Sequence, residues 1–335
     1  MICVGIIGYG YWGPNLVRNF IVQKECKIKA VADLSYKRLE NLLQSYPYIK
    51  AVLDADEIIN DPEIDAIVIA TPVFTHFPLA RKALLKGKHV LLEKPMASSV
   101  NECESLIELS LQKNLVLMVD HTFLYTGAVE KIKEIIDSNT LGNIKYLDST
   151  RINLGLFQPD INVLWDLAPH DLSILRYLYD AKPYSINATG ISHTVNGIEN
   201  IAFITINYPS GFIAHLNCSW TSPVKVRMMM IGGDKKMIIY NDVEPTEKIK
   251  IYDTAYDYKT DDDKKQVLVD YRVGDIFIPK ISNKEALASV AHDFITSIIE
   301  NKIPRSSDTI GLDIVKILEA SQKSIKNNGV EVKIN

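Results

Sequence analysis

The sequence predicts an α/β protein of two domains, a doubly wound parallel sheet followed by an α/β domain on a large open, mainly antiparallel sheet. The chain has 335 residues, more than the roughly 250–300 at which one hydrophobic core usually stops growing. Its first third alternates short β-branched runs with amphipathic helical stretches. Longer strands and turns such as Pro209-Ser210-Gly211 follow. We therefore expect domains over 1–120 and 121–335, with the option that the terminal helix packs back on the first.

The first domain is predicted from the alternation of its elements. Ile2 to Gly8 is an apolar run, and Pro14 to Lys24 is the helical stretch after it. A parallel sheet results when helices cross over between successive strands in this way. We expect strands over 2–8, 29–33, 66–70, 89–92 and 115–119, and helices over 14–24, 34–46, 77–86 and 100–113.

The second domain is predicted from strands of seven or more residues around one long apolar helix over 163–179. These strands are expected over 144–153, 185–195, 200–208, 212–220, 226–232 and, more briefly, 236–240. The stretch 253–265 ends in a charge run, Asp261 to Lys265, and is expected to be an exposed loop. Helices over 284–300 and 309–327 and a strand over 331–334 complete the chain.

The strand over 200–208 carries apolar side chains on both faces. Ala202, Ile204 and Ile206 share one face, and Ile201 and Phe203 share the other. A sheet that is apolar on two sides needs two coverings. We expect the chain's own helices on one side and, as a hypothesis, the same sheet of a second subunit on the other, which makes a homo-oligomer.

Composition excludes several classes of partner. With 47% hydrophobic residues, 23% charged residues and a formal net charge of −4, the chain has no general attraction for nucleic acid or anionic lipid. It has no apolar run near the ~20 residues that span a bilayer, and the N-terminal stretch lacks a basic leader, so we expect a soluble, cytoplasmic protein. The four cysteines have no Cys-x-x-Cys spacing, which favours structural thiols over disulfides or a metal site.

A glycine-rich turn, Gly8-Tyr9-Gly10-Tyr11-Trp12-Gly13, follows the first strand and precedes the first helix. In this context the Gly-x-Gly-x-x-Gly spacing permits a tight turn, close backbone approach to a pyrophosphate and close helix packing. The amide groups and the dipole of the helix start favour the phosphates. The turn therefore predicts dinucleotide binding.

Asp33 ends the second strand, where a carboxylate can accept hydrogen bonds from ribose hydroxyls and repels a 2′-phosphate. This favours NAD over NADP. Lys37 and Arg38 follow closely, and NADP stays open because either could accommodate the phosphate if Asp33 turned away. Otherwise they form a solvated helix face.

Two segments with polar side chains follow the carboxyl ends of strands, where open α/β sheets place their ligands. Ala70-Thr71-Pro72 with Thr75-His76 follows the fourth strand, and Glu93-Lys94-Pro95 follows the fifth. Burial would let the Lys94 ammonium lose its proton more readily, which suits proton transfer. His76 is expected either to reach the nicotinamide side of the cleft or to start a helix after Thr75.

Asp166 and His170 lie four residues apart on the long helix, so both side chains share one helical face. Imidazole is the natural proton acceptor near neutral pH, and a carboxylate could share its proton or hold a substrate. In the structural alternative, Asp166 caps the helix and His170 is a satisfied core residue.

Taken together, the glycine turn, Ala70-Thr71-Pro72, Glu93-Lys94-Pro95 and Asp166-x-x-x-His170 resemble the Gfo/Idh/MocA oxidoreductases over residues 2 to about 242. The resemblance implies a Rossmann domain, an α/β domain with an open sheet, and a site in the cleft between them. It implies catalysis by Lys94, Asp166 and His170. The other expected cofactor contacts are Tyr11, Trp12, Asp33, Arg38, Thr71, Pro72, His76, Glu93 and Lys94.

Within that family, Tyr11 to Leu16, His121 to Tyr125, Arg151 to Gly155 and Trp165 to Asp171 look like the branch acting on nucleotide-linked sugars, which includes UDP-N-acetylglucosamine 3-dehydrogenases. This implies oxidation of a secondary hydroxyl to a 3-keto sugar for a partner aminotransferase, in amino-sugar and surface-polysaccharide biosynthesis. Further substrate contacts are expected at Tyr125, Arg151, Asn153 and Trp165, because Arg suits a diphosphate and aromatic rings stack on uracil or sugar. Arg151 could instead form an ion pair, and Trp165 could belong to the core.

Three alternatives stay open. The chain could be a reductase using NADPH on a 3-keto deoxysugar, an inositol-type dehydrogenase, or an NAD-responsive regulator without catalysis. A regulator would keep Gly8 to Gly13 but has no need of Lys94 and His170, so their joint presence argues against it. The direction of the reaction, and whether Lys94 or His170 is the base, do not follow from spacing.

Overall fold

A computed structural model describes residues 1–155, 157–158, 160–195, 197–257 and 270–334. The chain divides into two compact units. The first contains Met1–Tyr125 and Lys284–Lys316, and the second contains Thr126–Asn283 and Ile317–Asn335. This division differs from the single expected boundary near residue 120, because residues 284–316 belong to the first unit.

The first unit is built on a six-stranded sheet in the order β3-β2-β1-β4-β5-β6. Each pair of neighbouring strands is parallel. The strand order reverses between β1 and β4, which is the place where open α/β sheets bind ligands. The strands are β1 (Ile2–Ile7), β2 (Cys26–Ala32), β3 (Lys50–Val52), β4 (Ala66–Ile69), β5 (His89–Glu93) and β6 (Leu117–Asp120).

Helices connect these strands. They are α1 (Gly13–Ile21), α2 (Tyr36–Ser45), α3 (Ala55–Ile59), α4 (His76–Leu85) and α5 (Val100–Lys113). Helix α1 buries Leu16, Val17 and Phe20, whose spacing places them on one face. Helix α5 begins at Ser99, whose hydroxyl accepts a hydrogen bond from the Glu102 amide.

The second unit is built on a nine-stranded sheet in the order β14-β13-β12-β11-β7-β10-β9-β8-β15. Only β7 and β10 among the described neighbours pair in parallel, so the sheet is mainly antiparallel, which confirms the predicted fold class. Its strands are β7 (Ile144–Ile152), β8 (Ser185–Ile191), β9 (Ile201–Asn207), β10 (Ile213–Ser219), β11 (Val226–Gly233), β12 (Met237–Asn241), β13 (Ile249–Asp257), β14 (Asp270–Phe277) and β15 (Val332–Lys333). Two helices belong to this unit, α6 (Gly127–Asp137) and α7 (Val163–Leu178).

The chain ends with α8 (Ala286–Glu300) and α9 (Asp308–Lys326), and the boundary between the two units falls inside α9. Phe294 of α8 packs edge-on against Phe20 of α1, with ring centroids 6.3 Å apart. Arg18 and Glu285 form an ion pair beside this contact. These contacts explain why α8 groups with the first unit. No described helix is both long enough and apolar enough to cross a lipid bilayer.

The structure differs from the expected elements in several places. The stretch 253–265 is not wholly a loop, because its first five residues continue β13; the charge run itself lies outside the described residues. The sequence did not predict helices α3 and α6 or strands β3 and β14. On β9 the side chains of Ala202, Ile204 and Ile206 are buried, and Phe203 on the other face is 42% exposed, so its expected covering by a second subunit stays a prediction.

Candidate active site

The turn between β1 and α1 contains three glycines, and the structural reason for a glycine differs among the three positions. Gly8 has φ +100°, and a Cβ there would lie 2.4 Å from the Ala70 carbonyl oxygen. A Cβ at Gly13 would lie 2.6 Å from the Gly8 carbonyl oxygen. At Gly10 the nearest atom to such a Cβ is the Arg38 Nη1, at 3.7 Å. The fold therefore requires Gly8 and Gly13, whereas glycine at position 10 leaves the backbone open to a bound group.

The start of α1 suits an anionic ligand. Trp12 is the N-cap, and its side chain does not cap the helix amides. The first turn contains no acidic side chain and has Pro14 as its second residue. Such a helix start offers N–H groups and a positive dipole end to phosphate. Tyr11 is 83% and Trp12 is 43% exposed, so two large rings stand on the turn itself.

Asp33 is buried and held in place at the end of β2. Its Oδ2 accepts a hydrogen bond of 2.7 Å from the Tyr9 amide, and its Oδ1 accepts one of 2.8 Å from the Ser35 amide. The half-exposed Arg38 places Nη1 3.5 Å from Oδ2. These bonds oppose the turning away that NADP would require. Oδ1, which accepts one hydrogen bond here, keeps a second lone pair for a ribose hydroxyl.

The loop after β4 is tied together by Thr71, Thr75 and His76. The Thr75 hydroxyl lies 2.6 Å from the Thr71 hydroxyl and 2.7 Å from the Pro72 carbonyl oxygen. His76 is the first residue of α4 and is buried. Its Nδ1 lies 2.9 Å from the Pro95 carbonyl oxygen, and its Nε2 lies 2.9 Å from the Thr71 carbonyl oxygen. Both ring nitrogens are therefore engaged with backbone, which does not fit the expected contact with the nicotinamide.

Four polar residues stand together at the carboxyl ends of β5 and β6. Glu93 is the register partner of Asp120, and Lys94 and His121 follow them. Burial raises the pKa of the Glu93 carboxyl, and the Asp120 charge raises it further while Lys94 lowers it. Burial likewise raises the pKa of Asp120, and the bond of 2.6 Å from the Thr122 hydroxyl opposes this. Two carboxyl groups so placed favour holding a proton at neutral pH.

Buried polar atoms of His121 and Asp120 give the strongest indication that a ligand binds here. Both His121 ring nitrogens and the Asp120 Oδ2 are buried and have no hydrogen-bond partner among the described residues. Burial and, to a smaller extent, the Lys94 charge lower the pKa of His121 to about 3, so the ring is neutral. An unpaired buried polar atom costs about 1–3 kcal/mol, which a ligand can recover. With Gly10 and the start of α1, these atoms fit a dinucleotide along the carboxyl edge of the sheet.

The sequence reading missed Asp120 and His121 as site residues. The available signal was their position: they follow the apolar run Leu117-Met118-Val119 as Glu93 and Lys94 follow theirs.

In the second unit, Asp166 and His170 lie one turn apart on α7 and are both partly exposed. The N-cap of α7 is Asn162, whose side chain accepts a hydrogen bond from the Trp165 amide, so Asp166 is not the cap. The Oδ2 of Asp166 accepts a hydrogen bond of 3.0 Å from Nε1 of the buried Trp220. Trp220, which sequence reasoning treated only as the end of a strand, thus fixes one carboxylate oxygen.

The other expected substrate contacts differ in exposure. Asn153 and Trp165 are partly exposed and stay candidates. Arg151 is buried, and its Nη2 and Nε donate to Asp171 at 2.7 and 3.0 Å, so its guanidinium is already engaged. Tyr125 lies in the first unit, where its hydroxyl donates to Asp293 at 2.7 Å. Burial raises the pKa of Tyr125 well above its usual range. Neither side chain fits a direct contact with a sugar nucleotide.

No three His, Cys, Asp or Glu side chains in the described ranges are placed to hold a metal ion together.

The fold and the carboxyl-edge site define a nucleotide-binding oxidoreductase with a Rossmann domain.

Family comparisons agree with this class. The model described as "Oxidoreductase family, NAD-binding Rossmann fold" matches residues 2–121, and that of the GFO/IDH/MocA C-terminal domain matches residues 129–239. The chain belongs to the Gfo/Idh/MocA family of NAD-binding oxidoreductases, as the sequence predicted.

Individual relatives differ in the reaction that their names give. UDP-N-acetylglucosamine 3-dehydrogenase of Acidithiobacillus ferrooxidans is 29% identical over 239 residues, which cover 68% of this chain and 70% of that protein. scyllo-Inositol 2-dehydrogenase (NADP(+)) IolW of Bacillus subtilis is 24% identical over 96% of this chain and 93% of its own length. A crystal structure of the Acidithiobacillus ferrooxidans UDP-N-acetylglucosamine 3-dehydrogenase superposes with a TM-score of 0.79 at 23% identity, covering 97% of this chain and 98% of its own, and shows the shared fold.

Proposed function

We propose that this oxidoreductase uses NAD to oxidise a secondary hydroxyl, at C3, of a nucleotide-linked sugar such as UDP-N-acetylglucosamine. The observation that carries the proposal is the partly exposed Asp166–His170 pair on α7, with Asp166 held by Trp220. A fixed carboxylate beside an imidazole suits a sugar hydroxyl that must be oriented and deprotonated. Similarity to the UDP-N-acetylglucosamine 3-dehydrogenase supports the substrate class.

The reaction breaks an O–H and a C–H bond and forms a C=O bond. His170 or Lys94 takes the hydroxyl proton, and Lys94 stabilises negative charge on the oxygen. Asp166 orients His170 or a neighbouring sugar hydroxyl. When bound, NAD supplies the acceptor for the hydride that leaves the carbon. Gly10, the start of α1, Asp33 and the residues at the ends of β5 and β6 hold the cofactor in this scheme.

The two candidate bases are tested by replacing each. Lys94→Ala and His170→Asn are each expected to lower kcat by about 100-fold or more at saturating NAD. The NAD affinity of His170→Asn, measured by calorimetry, is expected to stay within a few-fold of wild type. Glu40→Gln, an exposed carboxylate in the first unit, serves as the control. Near-normal turnover in both variants would show that these residues do not carry the reaction.

The substrate is tested with a panel of UDP-sugars, dTDP-sugars and inositols, each with NAD and NADP. Reduction of the nicotinamide is followed by absorbance. We expect the highest kcat/KM with UDP-N-acetylglucosamine and NAD. Higher activity with inositols, or no activity with any UDP-sugar, would refute the proposed substrate class.

A second candidate is an NADP-dependent enzyme, either an inositol-type dehydrogenase or, in the opposite direction, a reductase of a 3-keto deoxysugar. The half-exposed Arg38 beside Asp33 and the NADP-dependent inositol relative favour it. The same panel of substrates and cofactors distinguishes the two candidates, because the second requires a higher kcat/KM with NADP than with NAD.

We also propose that a second copy of the chain covers the outer face of the nine-stranded sheet. Phe203 and Ile213, on neighbouring strands β9 and β10, are 42% and 43% exposed. Burial of such side chains stabilises an assembly by about 25 cal/mol per Å² of apolar area. Light scattering should give a mass of two or four chains, and a mass of one chain would refute this.

A 3-keto sugar carries a new carbonyl group, so its consumption by an aminotransferase is the expected next step. The cytoplasmic location stays an expectation of the sequence.

A further inference from the structure

His76 is a buried imidazole that bridges two loops of the first unit. Its Nδ1 and Nε2 each lie 2.9 Å from a backbone carbonyl oxygen, that of Pro95 and that of Thr71. Thr71 follows β4, and Pro95 directly follows Lys94 after β5. The imidazole therefore joins two loops at the ligand-binding edge of the sheet.

The bridge begins where the hydrogen bonds of the sheet end. Strands β4 and β5 are neighbours, and their last register pair is Ile69 with Leu92. Thr71 and Pro95 lie beyond this pair. Backbone pairing between the strands thus does not extend to the Lys94 segment, and the His76 ring supplies a link there.

The protonation state of the His76 ring determines how many of the two carbonyl oxygens it can donate to. A neutral imidazole has one N–H, so it can donate to only one of the two carbonyl oxygens, whereas an imidazolium can donate to both. Burial lowers the pKa of His76, the carbonyl bonds oppose this, and the Lys94 charge lowers it further. The ring is therefore linked to Lys94 both through the Pro95 backbone and through charge.

We propose that His76 is a positioning residue, which fixes the Lys94 segment against the loop after β4 through its bond to Pro95. The inference rests on the proposed function in one respect: it takes Lys94 as the group that acts on the substrate hydroxyl. Small displacements of such a group are costly, since a shift of about 1 Å can lower a rate by about 100-fold.

Two conservative variants separate the two ends of the bridge. The amide nitrogen of Asn occupies nearly the position of the histidine Nδ1, and that of Gln nearly the position of Nε2. His76→Asn therefore keeps the donor to Pro95, while His76→Gln keeps the donor to Thr71. His76→Leu removes both donors. His89→Leu is the matched control, because His89 lies at the amino end of β5, where its Nδ1 accepts a hydrogen bond of 2.9 Å from the Val116 amide.

The variants are compared by kcat and KM with NAD and UDP-N-acetylglucosamine. His76→Asn is expected to keep kcat within a few-fold of wild type, and His76→Gln and His76→Leu to lose about 10- to 100-fold. The KM for NAD is expected to stay within a few-fold in all three. His89→Leu should lower thermal stability without lowering kcat. Equal kcat in the Asn and Gln variants, or a normal kcat in His76→Leu, would overturn the proposal.

A second measurement is independent of any substrate. Reductive methylation of the folded protein, followed by peptide mass spectrometry, gives the labelling rate of Lys94 relative to the surface Lys113. This ratio should change in His76→Gln and His76→Leu and stay at the wild-type value in His76→Asn and His89→Leu. An unchanged ratio in all variants refutes the positioning role. The two proposals can fail separately. If Lys94→Ala retains turnover while the labelling ratio changes as expected in the His76 variants, Lys94 is not the catalytic group, but the positioning of its segment by His76 is still supported.

Discussion

A substitution of Arg151 tests whether this residue has a structural role, through its ion pair with Asp171, or a substrate-binding role. Both side chains are about 95% buried, with relative exposures of 4% and 5%, and two charge-assisted hydrogen bonds of 2.7 and 3.0 Å join them. Arg151→Met leaves the Asp171 carboxylate buried without its counter-charge. Removing one partner of a buried ion pair costs about 3–5 kcal/mol, because the remaining charge is not solvated.

The second unit has a size for which 1 kcal/mol corresponds to about 2–4 °C in Tm. We therefore expect Arg151→Met to unfold about 6–20 °C below wild type by circular dichroism. The double variant Arg151→Met with Asp171→Leu removes both charges and should recover most of this loss. At a temperature where all variants are folded, the KM for the proposed substrate, UDP-N-acetylglucosamine, should be unchanged. A small change in Tm together with a KM raised tenfold or more would refute this reasoning and assign Arg151 to the substrate.

Three further predictions concern the cofactor turn and the sugar side of the site. Asp33→Ser removes the carboxylate beside the half-exposed Arg38 and should raise the NADP-to-NAD ratio of kcat/KM by about tenfold or more; an unchanged ratio would contradict the role of Asp33. Gly10→Ala should weaken NAD binding by about tenfold in calorimetry at unchanged Tm, whereas Gly8→Ala should lower Tm, because its Cβ would meet the Ala70 carbonyl oxygen; equal Tm losses would refute the distinction. Trp220→Phe removes the donor to Asp166 and should lower kcat by about tenfold, since a hydrogen bond to a charged group contributes about 1.5–3 kcal/mol; an unchanged kcat would show that the bond does not position Asp166.

Much of this fold follows from local pattern. Alternating apolar strands and helices predict the first sheet, and the three glycines predict its turn, because both depend on residues close in the chain. The sequence predicts a loop over the last five residues of β13, because the charged stretch after residue 257 dominates the composition of 253–265. The grouping of α8 with the first unit depends on Phe20 and Phe294, which no local pattern connects.

The site shows the same limit. Lys94, Asp166 and His170 can be proposed from the sequence, because a strand end and a four-residue helical spacing mark their positions. Tyr125 and Arg151 carry the chemistry of ligand contacts, but the fold supplies internal partners, Asp293 and Asp171. Whether an arginine meets a ligand or a buried aspartate depends on side-chain burial, which residue type alone does not determine.

The carboxyl pair at the ends of β5 and β6 predicts an unusual dependence of stability on pH. Burial raises the pKa of Glu93 to about 8. Between the ordinary carboxyl pKa and this value, the folded protein without cofactor holds a proton that the unfolded chain has released. Stability from this group is therefore full at low pH and is lost as the pH rises, by up to about 1.4 kcal/mol for each pH unit.

Glu93→Gln removes this titration and keeps the shape of the side chain. Its free energy of unfolding in urea should match that of wild type near pH 5 and exceed it by a few kcal/mol near pH 8. His121, whose pKa is lowered to about 3, acts in the opposite direction, since its contribution is lost as the pH falls below the usual histidine value. That contribution is common to both proteins and cancels in the difference. Glu40→Gln, which removes an exposed carboxylate, should show no such divergence. If the wild-type and Glu93→Gln curves run parallel from pH 5 to pH 8, Glu93 is charged throughout, and a proton held by Glu93 cannot be part of the site.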